Sequence, residues 1–336
     1  MVATKPERTE AFVVREATPA DRPEIEALIA EMIPGCDVEE RWRWLYATNP
    51  GGPAVTWLAI APTGEVAGCT SFFPFRLWLD GDEIRAALGG DGYVRPAFRR
   101  RGLGGLLHDA SRREMPEHRI TCMYGAPGAM NLTPLKHGGS REVGLVGRYV
   151  RPLRVGPSLI GSFVGRMTRP RTAGTLEPMT ERDPRIDRIW AEAKRELRLA
   201  AIRDAGFYQW RFRDAPAQRE PAYVIVEDHQ PIGACALESL NGGNELHIVD
   251  VVPVPGKWHA CLEAIVRHAS EHTRARSVSA KLFTIDARRR RMWQSGFLER
   301  DTKPFLCMIH KDGDRRLLDP QRWFYTGADS DLDSLE

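Results

Sequence analysis

A basic, glycine-rich turn between a strand-like segment and a helix-like segment constrains this chain most. Arg99-Arg100-Arg101-Gly102-Leu103-Gly104 fits the pattern Arg-x-x-Gly-x-Gly and follows Tyr93-Val94, an apolar pair, by five residues. Apolar residues then recur at helical spacing, at Leu103, Leu106, Leu107 and Ala110. N–H groups in the first turn of a helix lack an intrahelical partner, and the helix dipole favours negative charge there. The turn therefore predicts a phosphate site whose glycines let the ligand reach the backbone.

Two other kinds of glycine-rich phosphate site fit the segment less well. It lacks the third spaced glycine of a dinucleotide-binding turn and the Gly-Lys-Ser/Thr ending of a P-loop. The pattern therefore favours neither NAD nor ATP. A basic loop that closes onto an amphipathic helix without binding a ligand is the remaining alternative.

The turn is preceded by Val94-Arg95-Pro96. Val-x-Pro followed by Arg-x-x-Gly-x-Gly resembles the core motif of the GNAT superfamily, the acyl-CoA-dependent N-acyltransferases. The resemblance implies an α/β (α+β) fold in which a mixed, mostly antiparallel sheet is flanked by helices. It also implies acetyl-CoA, or another acyl-CoA, as co-substrate, and no metal.

The segments before the turn fit the opening of such a domain. Residues 12–14 predict a strand, and Thr18 is placed to cap the helix that follows, with Asp21 completing the cap. Residues 55–60 and 66–73 predict two more strands. A further hairpin is predicted where 75–79 pairs with 84–88 across Asp80-Gly81.

A repeat links the two halves of the chain. Trp44-Leu45-Tyr46 and Trp210-Arg211-Phe212 are each followed by a proline, with six residues from the first Trp to the Pro in both copies. In the second copy the loop corresponding to the glycine turn is Pro253-Val254-Pro255-Gly256-Lys257, which lacks Arg-x-x-Gly-x-Gly. We therefore expect two tandem GNAT-like domains, of which the second has lost the phosphate turn.

The expected boundaries are as follows. Residues 1–150 form the catalytic domain, 151–178 a linker rich in Pro, Gly and Arg with a short helix around 159–164, 179–310 the degenerate domain, and 311–336 a tail. Among tandem GNAT proteins the chain is most similar to the first two modules of the Eis-type acetyltransferases.

Composition limits the partners and the compartment. The net charge is only +3, from 48 basic and 45 acidic residues, so no nucleic-acid partner is expected. Because no apolar run approaches the length of about 20 residues that spans a membrane, we expect a cytoplasmic protein, as a monomer or homodimer. Six scattered cysteines without a Cys-x-x-Cys pair predict reduced, buried thiols.

The resemblance implies specific cofactor contacts. The backbone of Tyr93 and Val94 pairs with the pantetheine amides, and Asn131 in the second helix joins the cofactor site. The pyrophosphate is cradled by the turn residues Arg99, Arg100, Arg101, Gly102, Leu103, Gly104 and Gly105.

The catalytic residues are harder to assign. Many family members have a tyrosine after an asparagine in the second helix, but residues 132–137, which follow Asn131 here, include no Tyr. Tyr124, on the strand expected beside pantetheine, and His137 are the candidate general acids, with Tyr124 placed first. Asp91, between glycines near the opening of the sheet, is the candidate general base, with a turn aspartate as the alternative.

Two charged segments have mainly structural interpretations. Arg288-Arg289-Arg290-Arg291 is interpreted as a solvated face of the last helix rather than a nucleic-acid patch. Trp323-Phe324-Tyr325 and the aspartates after it either dock onto the protein or form a frayed end, and the frayed end is favoured.

The sequence therefore predicts an acyl-CoA-dependent N-acyltransferase that transfers acetyl to a primary amine of a small molecule or peptide. One alternative is a GNAT-fold transferase that uses a longer acyl-CoA, acyl carrier protein or aminoacyl-tRNA. The other is a non-catalytic acyl-CoA sensor or scaffold.

Overall fold

The computed structural model describes residues 12–153, 174–216 and 221–330. Its α-helices are α1 (Arg22–Met32), α2 (Val38–Arg41), α3 (Leu103–Glu114), α4 (Ala129–His137), α5 (Pro184–Ala193), α6 (Ala205–Tyr208), α7 (Trp258–His272) and α8 (Asp286–Gln294). The strands of the first half are β1 (Val13–Glu16), β2 (Val55–Ile60), β3 (Val66–Leu79), β4 (Asp82–Val94), β5 (Cys122–Gly125) and β6 (Arg141–Pro152). Those of the second half are β7 (Thr175–Pro178), β8 (Leu199–Ala201), β9 (Ala222–Glu227), β10 (Gln230–Leu240), β11 (Glu245–Pro253), β12 (Ser277–Thr284), β13 (Leu298–Ile309) and β14 (Trp323–Phe324).

The strands form one mixed, mostly antiparallel sheet. Its order is β1-β2-β3-β4-β5-β13-β6-β12-β11-β10-β9-β7, while β8 pairs with β3 and β14 pairs with β8. In the described part of the chain the parallel pairs are β4 with β5, β11 with β12, and β8 with β14. The predicted sheet type and the predicted hairpin across Asp80-Gly81 are therefore confirmed.

The two halves exchange strands at the middle of this sheet. β13 of the second half lies between β5 and β6 of the first, and β6 of the first half lies between β13 and β12 of the second. The halves consequently share one sheet instead of forming two, and β6 extends into the predicted linker, which ends in β7. The division into two domains stays a prediction, and the short helix expected around 159–164 lies outside the described residues.

Helix α3 covers one face of the first half. Its buried residues Leu103, Leu107 and Ala110 pack in a cluster with Trp57 and Phe72, whereas Leu106 points outward. The larger core lies on the opposite face and is continuous with the core of the second half. The amphipathic spacing of α3 thus fixes the helix against the sheet and leaves its first turn at the surface.

The frayed C-terminal end predicted from the sequence is wrong for residues 323–329, and the rest of the predicted tail, 331–336, lies outside the described residues. Trp323, Phe324, Tyr325 and Asp329 are all buried, and β14 pairs with β8. Aromatic side chains of this size bury enough apolar surface to hold a short segment against the core.

Two further features agree with the sequence analysis. All six cysteines are free thiols, and five of them are buried, Cys36 being half-buried. The four arginines at 288–291 lie on α8, where Arg289, Arg290 and Arg291 are exposed as predicted. The solvated face is wrong at Arg288, whose guanidinium donates to the Trp323 carbonyl at 3.1 Å and lies over the Phe324 ring. Within the described ranges, no helix combines the length and apolar character needed to cross a bilayer.

Candidate functional site

The glycine turn presents an open helix N-terminus. Arg100 and Gly102 adopt positive φ angles of 61° and 78°, which turn the chain sharply into α3. Gly102 is the N-cap, and no side chain caps the helix. An added Cβ at Gly102, Gly104 or Gly105 would meet no atom within 4 Å. The first-turn N–H groups are therefore open to an anion that approaches the backbone closely.

The three arginines of the turn are not equivalent. The Arg99 Nε donates a hydrogen bond of 2.9 Å to the Val94 carbonyl, and its guanidinium lies over the Tyr93 ring. Arg101 lies over the Phe98 ring, and all three side chains are exposed. Arg99 thus fastens the turn to the end of β4, whereas Arg100 and Arg101 add positive charge at the helix N-terminus.

Strands β4 and β5 separate beside this turn. Ala87 and Met123 form the register pair that joins them, and within the described residues no other pair joins the two strands. Beyond this pair β4 and β5 are not paired with each other in the described structure, so the β4 edge from Gly89 to Val94 faces an opening. An extended ligand with amide groups can pair with a free strand edge of this kind.

Asp91 lies at a bulge in β4 and is buried in an ion pair. The Arg41 Nη2 donates to Asp91 Oδ1 at 2.6 Å, and the Tyr46 hydroxyl donates to Asp91 Oδ2 at 2.6 Å. Burial raises the pKa of Tyr46 well above its ordinary value, so this hydroxyl keeps its proton. Both Asp91 oxygens are engaged, which favours a structural role in holding the bulge. Its role as general base stays a prediction.

The second half contains the same arrangement at Asp250. Asp91 and Asp250 each lie three residues before the end of the bulged strand, at Val94 and Pro253. The Arg203 Nε donates to Asp250 at 2.9 Å, and the Tyr208 hydroxyl donates to it at 3.0 Å. A buried Arg–Asp–Tyr group therefore supports the central strand in both halves.

The opening between β11 and β12 is filled by the chain itself. After Ile248 and Ala280 these strands no longer pair, and the C-terminal segment lies between them. The Phe283 N–H donates to the Tyr325 carbonyl at 2.9 Å, and Gly327 lies so close to Val249 that a Cβ would meet its carbonyl oxygen at 2.9 Å. We call residues 323–329 the C-terminal plug.

Buried polar contacts fasten the C-terminal plug. The Thr326 hydroxyl donates to Asp250 at 2.7 Å, and the Arg203 Nη2 donates to Asp329 at 2.6 Å. Burial raises the pKa of Asp329 from its ordinary value, against the opposing effect of Arg203. The equivalent opening in the first half contains no such segment among the described residues.

Tyr124 faces the core rather than the opening. Its ring lies 5.2 Å from the Trp323 ring and 6.3 Å from the Phe305 ring, centroid to centroid. The hydroxyl is buried without a hydrogen-bond partner in the described structure, and burial raises the pKa of Tyr124 well above its ordinary value. This environment keeps the phenol protonated but encloses it among aromatic rings.

The second helix carries the other predicted residues. Asn131 and His137 are exposed on α4, and His137 is its last residue. The next residue, Gly138, packs so closely against α3 that a side chain would not fit: a Cβ there would lie 2.3 Å from the His108 ring. The structure thus brings the C-terminal end of α4 against the middle of α3, at His108, while Asp91 and Tyr124 lie inside the protein.

Sequence reasoning missed the buried arginines. Arg41 and Arg203 belong to no recognisable motif, and their partners are far away along the chain. Ion pairs between residues far apart in the chain depend on the tertiary fold and leave no local pattern. The only sequence signal for these buried groups was a carboxylate between two glycines, Gly90-Asp91-Gly92. Within the described residues, no group of three or more His, Cys, Asp or Glu side chains is arranged to hold a metal ion.

Solved structures with the same fold are known, although no family model and no curated protein matches the chain. A GCN5-related N-acetyltransferase from Anabaena variabilis ATCC 29413 is 16% identical, with a TM-score of 0.65, over 89% of this chain and 73% of that one. A conserved protein of unknown function from Enterococcus faecalis V583, described as a probable N-acyltransferase, is 13% identical over 89% and 73%, with a TM-score of 0.67. A GCN5-related N-acetyltransferase from Kribbella flavida is 15% identical over 89% and 71%, with a TM-score of 0.61. Since the match extends over most of its length, the chain has the fold of the GCN5-related N-acetyltransferases, the GNAT superfamily.

Proposed function

We propose that this protein is an acyl-CoA-dependent N-acyltransferase that transfers acetyl directly to a primary amine. The observation that carries the proposal is the uncapped N-terminus of α3 beside the opening between β4 and β5. The space around Gly102, Gly104 and Gly105 suits a pyrophosphate, and the β4 edge from Gly89 to Val94 suits the amides of pantetheine. Arg100 and Arg101 would add charge–charge attraction to the phosphates.

Acetyl-CoA supplies the acetyl group as a thioester when it is bound. The acceptor amine attacks the thioester carbonyl carbon, so that a nitrogen–carbon bond forms and the carbon–sulfur bond breaks. The amine loses one proton to a base or water, and the departing thiolate gains one. Holding the two reactants together supplies much of the rate in such a transfer.

We assign the proton donor to His137 ahead of Tyr124. A protonated imidazole can donate a proton, and His137 is exposed at the end of α4, whereas the Tyr124 hydroxyl is enclosed. This reverses the order in which the sequence placed the two. The acceptor is an amine of a small molecule or peptide, and the site of action is the cytoplasm.

The test is thiol release from acetyl-CoA across a panel of amines, together with calorimetric binding of CoA. Thiol release that depends on an amine supports the proposal. CoA binding without release from any amine would instead support a sensor or scaffold. Release from longer acyl-CoA, acyl carrier protein or aminoacyl-tRNA alone would support transfer from another donor.

A further inference from the structure

A cleft of about 400 Å³ opens beside the β3–β4 hairpin, away from the glycine turn. It is lined by Pro50, Gly51, Arg76, Glu83, Ile84 and Arg85. A smaller adjoining cavity shares Pro50, Gly51 and Arg76 and is also lined by Asn49 and Trp210. We call the two together the hairpin cleft. None of the roles described above uses it.

The hairpin cleft contains a cation without a charged partner. Arg76 is paired with both Glu83 and Asp204, at 2.6 and 2.7 Å. The Arg85 side chain makes one hydrogen bond, from Nη1 to the His118 carbonyl at 3.0 Å, and its Nε is buried without a partner in the described structure. No carboxylate of the described residues forms an ion pair with Arg85. Its guanidinium therefore presents donors and positive charge for which the described chain supplies no anion.

A second buried donor lines the smaller cavity. Asn49 is only 6% exposed, and its Oδ1 accepts a hydrogen bond of 2.9 Å from the Gly51 N–H. The Asn49 Nδ2 is buried and has no partner among the described residues. Buried donors without acceptors cost free energy, and the space beside Asn49, about 10 Å³, has room for no more than a water. The larger cleft beside Arg85 has room for an acceptor that comes from a ligand.

The hairpin cleft lies close to the end of the proposed cofactor channel. Arg85 precedes Ala87, the residue at which β4 meets β5, by two positions. At a rise of roughly 3.3 Å per residue, the two backbone positions are about 7 Å apart. A pantetheine arm that enters from the Val94 end of the opening would point toward Ala87. Arg85, which lines the hairpin cleft, lies beyond that point along β4.

We propose that the hairpin cleft binds a carboxylate of the acceptor, so that the preferred substrates are amines that also carry a carboxylate, such as amino acids. The guanidinium of Arg85 lines the larger cleft and offers the planar donors that match a carboxylate. This inference rests on the proposed N-acyltransferase function, since it names the class of acceptor.

The experiment compares matched amines that differ by one carboxylate: L-lysine against 1,5-diaminopentane, and L-phenylalanine against 2-phenylethylamine. Binding is measured by calorimetry with CoA present, and kcat/KM by thiol release. A charge-assisted hydrogen bond to a carboxylate is worth enough to expect the wild type to prefer the carboxylated member by about tenfold or more. Arg85→Gln removes this preference and leaves kcat/KM for the uncarboxylated amine unchanged.

Two further variants control the result. Arg85→Lys keeps the positive charge but not the planar guanidinium, so we expect it to retain part of the preference for carboxylated amines. It serves as the second variant if Arg85→Gln lowers the stability of the protein. Arg290→Gln removes an exposed arginine on α8 and keeps the full preference. Equal binding of both amines by the wild type, or an undiminished preference in Arg85→Gln, overturns the proposal. If no amine gives thiol release, the proposed transfer fails, and the calorimetric preference still decides whether the hairpin cleft binds carboxylates.

Discussion

Trp44 and Trp210 donate their indole N–H groups to each other's backbone carbonyls. The two hydrogen bonds are 2.7 and 2.9 Å long, and the rings stack with centroids 5.3 Å apart. Each residue lies in a π-helical turn, Trp42–Ala47 in one half and Gln209–Arg213 in the other. The two copies of the repeat are therefore related by a local two-fold axis. The exchange of β6 and β13 between the halves has the same two-fold symmetry.

We expect Trp44→Phe to destabilise the protein by about 1–3 kcal/mol, because a buried carbonyl loses its donor. The measurement is the free energy of unfolding in urea. Trp293→Phe is the matched control, since Trp293 is 68% exposed and its loss is expected to cost less than about 0.5 kcal/mol. Adding Trp210→Phe to Trp44→Phe should cost less than the sum of the single changes, because the two bonds share partners. Equal effects of Trp44→Phe and Trp293→Phe would contradict the role of the pair.

Gly104→Glu should weaken CoA binding by about tenfold or more, because its carboxylate would stand where the proposed pyrophosphate meets the helix N-terminus. Gly104 is a better position for this test than Gly102, whose positive φ would strain any side chain. Gly104→Gln has the same length without the charge and isolates the electrostatic effect. The measurement is calorimetry with CoA, and wild-type affinity in a folded Gly104→Glu protein would remove the basis of the cofactor assignment.

One CoA per chain is expected to saturate the protein. The C-terminal plug occupies the second opening, and the loop before α7 carries no basic glycine turn. Calorimetric titration gives the stoichiometry, and Gly104→Glu serves as the control because it should remove the single site. A second equivalent site, or residual full-affinity binding in that variant, would show that the second half binds the cofactor.

Local patterns predicted the elements better than their assembly. The strands at 55–60 and the helix after Gly102 follow from alternation and from helical spacing within a few residues. The exchange of β6 and β13 could not be inferred, since pairing between strands far apart in the chain leaves no local signal. The C-terminal plug was misjudged for the same reason, because its aromatic residues have partners only once β11 and β12 diverge.

In the candidate site, too, local features were predicted from the sequence and features that depend on the tertiary fold were not. The turn at Gly102 was predicted because its conformation is local and a short glycine motif encodes it. Its use as a phosphate site stays a prediction. The surroundings of Tyr124 were not, because alternation along a strand does not tell which face of the sheet is covered. The unpaired donors of Arg85 and Asn49 depend on three-dimensional packing and leave no trace in the sequence.

The stability of α5 should depend on pH through Asp183. Burial opposes ionisation of this carboxyl, but the Arg185 side chain and the N–H groups of Arg185 and Thr180 outweigh it and lower its pKa from 3.8 to about 2. A lowered pKa in the folded state contributes stability above pH 3.8, and this contribution is lost as the pH falls through about 2.

Asp183→Ala removes the N-cap as well and should cost about 1–2 kcal/mol at neutral pH. Urea unfolding at several pH values is the measurement. Asp183→Asn keeps an acceptor for the cap and should lose only the dependence on pH. A constant difference in stability between wild type and Asp183→Asn down to pH 2 would be inconsistent with the lowered pKa.

The identity of the general acid is decided by two single substitutions. Tyr124→Phe removes a buried hydroxyl that has no partner in the described structure, so we expect unchanged turnover and no loss of stability. His137→Ala should lower turnover by on the order of a hundredfold with little change in CoA affinity, the usual effect of losing a general acid. Turnover is measured by thiol release under conditions in which chemistry is rate-limiting. A large loss of turnover in Tyr124→Phe would identify Tyr124 as the general acid instead. Near-wild-type turnover in both variants would leave water or the acceptor as the proton source.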